Sequence, residues 1–193
     1  MRVRPARGFN VYIPTLKETS RIAAARSSWQ YRGNSRPSFA EEPTPTQYSV
    51  WDFPRPPLLE KVKKTMAVYF GNQLIAKTSN GFRVLETASA PTYYFPPEDI
   101  LIPLTSQGAR SICEWKGLAE AMSIEGQPNI GWRYIEMFPE FSTIYKWVSF
   151  YPNKSDCFLD GEKVTFQPGG YYGGWVSQDL SGPIKGSPGS SGW

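Results

Sequence analysis

The sequence of 193 residues predicts a mostly β protein. We expect a compact body of short antiparallel strands, packed as two sheets or closed into a small barrel, with an extended N-terminal arm and a glycine-rich C-terminal tail. Two-residue turns, Gly71-Asn72 and Asp160-Gly161, each separate two runs of strand-forming residues. After residue 60 no amphipathic helical segment is longer than about two turns. Aromatic residues make up 15% of the chain, which is enough to fill a core.

Residues 1–47 form a segment that we call the arm. It carries eight basic and three acidic residues, so its net charge is +5, whereas the rest of the chain is at −1. Its apolar residues come singly, and it cannot bury enough surface to fold alone. A short helix is expected over 19–28 with Thr19 or Ser20 as N-cap, followed by an extended linker over 41–47.

Aromatic side chains interleaved with arginines along the arm favour docking onto an acidic protein surface. The docking candidates are Arg4, Arg7, Phe9, Tyr12, Arg21, Arg26, Trp29, Tyr31, Arg32 and Arg36. The alternatives are contact with nucleic acid or an anionic membrane, a plastid transit peptide, and a solvated tail. The near-neutral charge of the body argues against nucleic-acid binding by that part of the chain.

Residues 48–65, which we call the strap, are rich in proline and aromatic residues. Proline fixes φ and pushes its predecessor to extended geometry, so 50–57 should be extended. We expect Trp51 and Phe53 to pack it across the body, and a polyproline ligand for another domain is the alternative.

Residues 66–167 form the predicted body. Alternating and aromatic-rich runs predict its strands at 67–70, 73–77, 82–87, 100–104, 111–115, 118–124, 131–135, 144–151, 157–159 and 162–166. Residues 168–193, the tail, are glycine-rich, but they carry Tyr171, Tyr172, Trp175 and Trp193. We expect these rings to pin the tail to the body, and a mobile binding loop at 171–175 is the alternative.

The composition excludes several classes of active site. The chain has no histidine, which rules out Ser-His-Asp and Cys-His nucleophile pairs and histidine-ligated metals. Two cysteines cannot form a four-thiolate zinc site, and no cofactor, metal or catalytic residue is predicted. We expect Cys113 and Cys157 to be free thiols in a reducing compartment, with one disulfide as the alternative. No apolar run reaches the roughly 18 residues of a membrane span, and the first residues lack a secretory signal. The expected location is therefore cytoplasmic, or the stroma of a plastid in an alga.

Three groups of residues are candidates for a ligand site. Glu98 and Asp99 could bind a metal or act as an acid–base pair, although a simple turn is the alternative. Lys116 could bind an anion or activate Cys113, with Trp115 on the same strand face as a stacking platform, and buried packing is the alternative. An aromatic pocket, or alternatively the core, could be formed by Trp132, Tyr134, Trp147 and Tyr151. With Tyr94, the ligand-binding candidates are Tyr94, Glu98, Asp99, Cys113, Trp115, Lys116, Trp132 and Tyr134.

Several strings between about residues 66 and 166 resemble the family catalogued as domain of unknown function 427. They are Val84-Leu85-Glu86, Tyr94-Phe95-Pro96-Pro97-Glu98-Asp99-Ile100, Cys113-Glu114-Trp115-Lys116-Gly117, Gly131-Trp132, Val148-Ser149-Phe150-Tyr151 and Asp160-Gly161-Glu162. The strap and the tail string Gly182-Pro183-Ile184-Lys185-Gly186 resemble the longer, cyanobacterial members, whereas the arm matches none. The resemblance implies a β-tent fold and a photosynthetic lineage.

That family also carries a nucleotidyltransferase label, which the residues do not support. Such enzymes have a Gly-Ser pair followed by paired carboxylates that bind two metal ions. Here the Gly-Ser pairs are Gly186-Ser187 and Gly189-Ser190, and no carboxylate side chain follows either of them in the sequence. Family members usually have tyrosines where this chain has Ala121 and Met122, so a shared pocket has lost polar aromatic groups.

These observations lead to two predicted functions. The first is a non-enzymatic interaction or scaffold subunit whose arm docks onto a larger, acidic, photosynthetic assembly. The alternative is a small-molecule or nucleotide-binding domain or enzyme with a pocket around Cys113, Trp115 and Lys116.

Overall fold

The structure, a computed structural model, describes residues 12–193, and it is mostly β. The docking candidates Arg4, Arg7 and Phe9 lie outside the described residues. One α-helix, α1, runs over Ser20–Ser27, and the Thr19 hydroxyl caps it by accepting a hydrogen bond from the Ile22 N–H at 3.3 Å. The predicted helix and its N-cap are therefore confirmed. Within residues 12–193 no helix is long and apolar enough to cross a membrane.

The described residues also contain fifteen short strands. They are β1 Tyr48–Ser49, β2 Leu58–Lys61, β3 Met66–Phe70, β4 Gln73–Thr78, β5 Phe82–Leu85, β6 Thr92–Tyr94, β7 Thr105–Cys113, β8 Gly117–Ile124, β9 Gln127–Met137, β10 Val148–Phe150, β11 Asp156–Leu159, β12 Glu162–Lys163, β13 Thr165–Phe166, β14 Trp175–Val176 and β15 Leu180–Ser181. Three 3-10 helices run over Val50–Asp52, Pro97–Asp99 and Pro139–Ile144.

The strands form small open sheets. Two of them have four strands, in the orders β10-β9-β8-β7 and β12-β11-β3-β4, and a third has the order β2-β5-β6. Two further pairs are the antiparallel β13-β14 and the parallel β1-β15. Phe95 and Val148 exchange backbone hydrogen bonds of 2.8 and 3.0 Å, which joins the three-stranded sheet to β10. The mostly β prediction is confirmed, and among the described strands no sheet closes into a barrel.

Both predicted hairpins form where their turns predicted them. The strands β3 and β4 pair around Gly71-Asn72, and β11 pairs with β12 around Asp160-Gly161. Asp160 and Gly161 have φ values of 49° and 84°, the left-handed conformation that a two-residue turn between twisted strands requires.

Three stretches differ from the strands or extended segments predicted for them. The run 100–104 forms only an isolated bridge between Ile100 and Ala76, since Pro103 has no N–H for a ladder. The predicted strand 144–151 begins only at Val148, because Pro139 starts a 3-10 helix that extends to Ile144. Within the strap, Val50–Asp52 form a 3-10 turn before the prolines, so the segment 50–57 is not extended throughout.

The core has three parts. The first lies between the two four-stranded sheets and includes Phe95, Phe150 and Trp175, all fully buried. The second lies against β8 and β9 and includes Tyr94, Trp115 and Tyr134. The third is built by the strap, where Trp51 is fully buried and Phe53 is 7% exposed, with Trp193 of the tail packed against them.

The described part of the arm lies along the protein's own body. The Leu16 N–H donates to the Met137 carbonyl at 2.9 Å, and the Met137 N–H donates to Pro14 at 3.0 Å. The Arg26 guanidinium lies 4.4 Å from the centre of the Phe138 ring. Residues 13–47 thus form part of the folded unit, and Trp29 reaches the surface above β7 and β8.

Candidate functional site

The floor of a cavity is one face of the β7–β8–β9 sheet. Strand register places Ser111 opposite Ala119 and Ala119 opposite Tyr134. In the next row Ala121 lies opposite Trp132. Side chains alternate along a strand, so Ala119 and Ala121 share one face, and their small size leaves room above the sheet. The absence of a tyrosine at position 121 therefore opens space rather than removing the pocket.

Loops and both flanking segments build the walls of this cavity, which has a volume of about 600 Å³. Trp29 comes from the arm, Glu86 follows β5, and Tyr151 follows β10. The tail contributes Tyr172 and Lys185. The cavity size is in the range of small-molecule sites.

The structure brings together half of the predicted ligand-binding residues. Cys113, Lys116, Trp132 and Tyr134 line the cavity. Tyr94 is fully buried beneath it, with its ring centre 6.3 Å from that of Trp132 and 6.4 Å from that of Tyr134. Burial raises the pKa of Tyr94 and of Tyr134, so both phenols are neutral near neutral pH.

The other predicted residues lie elsewhere. Trp115 belongs to the turn between β7 and β8 rather than to a strand, so it does not share a strand face with Cys113. It is 5% exposed, and Arg26 of the arm lies 5.2 Å above its ring. Glu98 and Asp99 form a 3-10 turn outside the cavity, next to β4. The structure therefore does not bring these three residues into the cavity that Lys116 lines.

Lys116 lies in a buried network of charges at one wall of the cavity. Its amine is 3.8 Å from a carboxylate oxygen of Glu86, and Arg55, which has no exposed side-chain surface, lies 3.2 Å from Glu86. Arg55 also donates to the backbone carbonyls of Tyr31 and Thr87 at 2.8 and 2.9 Å. Burial by itself lowers the pKa of Lys116, but Cys113, Tyr94 and Glu86 outweigh this effect and raise it above its ordinary value, so the amine is charged.

Lys185 lies on the opposite side of this network and has a different environment. Its side chain is only 2% exposed, and its amine lies 3.4 Å from the centre of the Trp29 ring and 5.1 Å from that of Tyr172. Burial, with the nearby charge of Arg55, lowers the pKa of Lys185 to about 8. The cavity therefore holds one charged lysine and one that titrates near neutral pH.

Sequence reasoning did not assign Glu86, Arg55 or Lys185 to the site. Glu86 and Lys185 stand inside strings that carried the family resemblance, and that is the one signal in the sequence that points to them. Trp29 was predicted as an anchor for another protein, but its indole N–H donates to the Glu114 carboxylate at 2.7 Å within the same chain. Among residues 12–193 no three Cys, Asp or Glu side chains are grouped so that they could hold a metal ion.

The two cysteines are free, and their environments differ. Cys113 lines the cavity, whereas Cys157 is fully buried in the first core, and burial raises its pKa to about 12. We expect iodoacetamide at pH 8 to alkylate Cys113 alone in the native protein and both thiols after unfolding, because only the thiolate reacts. Intact mass measurement counts the added groups. A Cys113→Ser variant should take up none while folded, and alkylation of Cys157 in the native state would contradict the assignment.

Comparison with known families gives one match. Residues 58–161, which are 104 of the 193 residues, match the family described as a domain of unknown function (DUF427). The match begins at β2 and ends in the β11–β12 turn, so it contains the floor of the cavity together with Glu86 and Lys116, and Trp29 and Lys185 lie outside it. No curated protein matches the chain.

Proposed function

Since the chain belongs to the DUF427 family, whose description names no activity, we propose from the cavity itself that the protein binds a small anionic molecule with a planar ring. Nucleotides belong to this chemical class. The observation that carries the proposal is the buried, charged Lys116 at the wall of an aromatic cavity.

The charges that line the cavity favour an anion. Four basic side chains line it, and two carboxylates, Glu86 and Glu114, oppose them. The basic residues are Arg110, Lys116, Lys154 and Lys185. Both carboxylates already accept contacts from the protein, Glu114 from Trp29 and Glu86 from Arg55, so the excess positive charge is available to a ligand.

Lys116 has spare capacity to donate hydrogen bonds. An ammonium group has three donors, and the 3.8 Å distance to Glu86 is too long for a hydrogen bond. The Cys113 side chain is the hydrogen-bonding partner that the described residues offer this amine, so donors remain for a ligand. An anionic group of a ligand would satisfy these donors through charge-assisted hydrogen bonds, which are the stronger kind.

The walls favour a planar ring. Six aromatic side chains line the cavity from the sheet, the arm and the tail. They are Trp29, Trp132, Tyr134, Tyr151, Tyr171 and Tyr172. The Trp132 and Tyr151 rings contact each other, with centres 4.6 Å apart, and both line the cavity together with Ala121.

The test uses 8-anilinonaphthalene-1-sulfonate, an anion with planar rings whose fluorescence rises on binding. We expect saturable binding to the native full-length protein and about tenfold weaker binding to Lys116→Met, because one charge-assisted contact contributes about 1.5–3 kcal/mol. Lys63→Met, which removes an exposed lysine, is the matched control and should bind as the unaltered protein does.

Two further measurements protect this test against a folding artefact. Near-ultraviolet circular dichroism shows whether Lys116→Met keeps its tertiary packing, since the probe also binds partly folded states. Ala121→Phe, which fills the cavity without removing a charge, should reduce binding by at least tenfold. Equal affinity of the Lys116 and Lys63 variants, or full binding by Ala121→Phe, would refute the proposal.

The interaction role of the arm stays a prediction. The arm candidates Arg26, Trp29, Tyr31 and Arg36 make contacts within the chain, and Tyr12, which is 84% exposed, and Arg21 remain on the surface. We also propose a photosynthetic assembly as the partner and a plastid or cytoplasmic location.

A further inference from the structure

Lys185 is held rigidly at the cavity wall by the fold of the tail. Its backbone N–H donates to the Ala88 carbonyl at 2.7 Å, and its carbonyl accepts from the Gln167 side chain at 2.9 Å. The next residue, Gly186, has a φ of 129° and lies so close to Pro168 that a Cβ atom would be 1.9 Å from the Pro168 carbonyl oxygen. The backbone that carries this lysine is therefore fixed on both sides.

The amine of Lys185 is buried, and among the described residues it forms no ion pair with an Asp or Glu carboxylate. Its one hydrogen bond is a long one of 3.4 Å to a main-chain oxygen of Trp193, the last residue of the sequence. The amine of a surface lysine differs from it, because water hydrates the ammonium group and keeps it charged. A lysine kept on the cavity wall in this state has a lone pair available to a bound molecule near neutral pH.

Two opposing effects place that lone pair near neutral pH. Burial, with the charge of Arg55, favours the neutral amine and lowers the pKa of Lys185 to about 8. The carboxylates of Glu86 and Glu114 act in the opposite direction but do not outweigh burial. The Trp29 ring, 3.4 Å from the amine nitrogen, favours the charged form. Desolvation next to another cation is a known way to make a lysine nucleophilic toward carbonyl compounds.

We propose that Lys185 captures an aldehyde group of an anionic, planar ligand as a reversible imine in this cavity. The proposal rests on the proposed function and adds the reactive group of the ligand. Lys116, which is charged and 8% exposed, would hold the anionic group of the ligand, and the aromatic walls would hold its ring.

The chemical step needs no oxidant or further reactant. The lone pair of the neutral amine forms a bond to the aldehyde carbon, and a proton from nitrogen moves to the carbonyl oxygen. The carbon–oxygen bond then breaks, and the oxygen leaves as water while a carbon–nitrogen double bond forms. Hydrolysis reverses the step and releases the aldehyde and the free amine.

The experiment traps the imine in the full-length protein. The protein is incubated at pH 7 with 4-carboxybenzaldehyde and cyanoborohydride, which reduces the imine to a stable secondary amine, and peptide mass spectrometry gives the labelling rate at each lysine. An ordinary lysine with a pKa near 10.4 has roughly a hundredfold less free amine at this pH. Allowing for restricted access, we expect Lys185 to be labelled about tenfold faster than exposed Lys63.

Three comparisons make the result specific. Labelling of Lys185 should rise with pH and level off above about 8. Lys185→Arg should leave the tail peptide unlabelled, and Ala121→Phe should slow labelling at Lys185 but not at Lys63. Labelling of Lys185 no faster than Lys63, or at an unchanged rate in Ala121→Phe, would overturn the proposal.

Comparison with a neutral aldehyde tests the reactive lysine and the proposed anion site independently of each other. Benzaldehyde should label Lys185 about tenfold more slowly than 4-carboxybenzaldehyde, because Lys116 attracts only the anion. Equal rates with both aldehydes would preserve a reactive lysine but contradict an anion site. Binding of 8-anilinonaphthalene-1-sulfonate with no labelling at Lys185 would preserve the anion site and overturn the imine.

Discussion

Replacing Trp175 with alanine is expected to destabilise the protein by about 3–5 kcal/mol, which is a large part of the stability of an ordinary domain. Trp175 is fully buried in the first core, with its ring centre 4.9 Å from that of Tyr93 and 6.0 Å from that of Phe95. Its indole N–H donates to the Phe150 carbonyl at 3.0 Å. The substitution leaves a cavity and removes the partner of a buried carbonyl.

Tyr171→Ala is the matched control for this prediction. It removes a large ring from the same glycine-rich tail, but Tyr171 is 75% exposed, so the free energy of unfolding should change by no more than about 0.5 kcal/mol. Urea unfolding followed by tryptophan fluorescence and far-ultraviolet circular dichroism gives both values. Similar losses in the two variants would mean that Trp175 does not anchor the tail.

Gly117→Ala is expected to cost about 3–5 kcal/mol, because two penalties act at one residue. Gly117 begins β8 with a φ of 137°, which other residues rarely adopt. An added Cβ would lie 2.1 Å from the Glu136 carbonyl oxygen, and that oxygen belongs to the backbone of the paired strand β9. The strands would have to separate next to Lys116, so binding at the cavity should fall together with stability.

Substitutions at two other glycines separate the penalty of the left-handed backbone conformation from the penalty of the steric clash. Gly126 has a φ of 76° with nothing within 4 Å of an added Cβ, so Gly126→Ala should cost only about 1–2 kcal/mol. Gly131 has an ordinary φ, but its Cβ would lie 2.3 Å from the Ser149 carbonyl oxygen, so Gly131→Ala measures the steric penalty alone. The same urea titration compares the three, and a Gly117 variant as stable as the Gly126 variant would disprove the close approach.

The sequence predicted those parts of the fold that depend on local chemistry. The turn at Asp160-Gly161 and the Thr19 cap follow from backbone preferences within a few residues, and both are confirmed. The strand predicted at 100–104 was wrong because its apolar pattern outweighed Pro103 in the interpretation. Local sequence patterns could not predict the path of the arm, because it depends on pairing between residues that are far apart in the sequence, such as Thr15 and Met137.

The candidate site was predictable only where its residues share a strand or adjoining turn. Cys113 and Lys116 are neighbours around one turn, and Trp132 and Tyr134 lie on the strand paired with β8, so local strings pointed to them. Lys185 and Trp29 reach the cavity from opposite ends of the described chain. No periodicity relates such residues, and a lysine between an isoleucine and a glycine has no signature of burial.

The meeting of arm and tail over the cavity has a consequence for the order of folding. The Gln30 N–H donates to the Gly192 carbonyl, and the Gln47 side chain donates to the Gln178 carbonyl across 131 positions of sequence. Contacts of such high sequence separation close large loops and form slowly. During synthesis the sheet floor can pair well before residues 172 and 185 leave the ribosome, so the binding cavity becomes complete only after the tail has emerged. A ligand of this site would therefore distinguish molecules with a docked tail from nascent ones that still lack it.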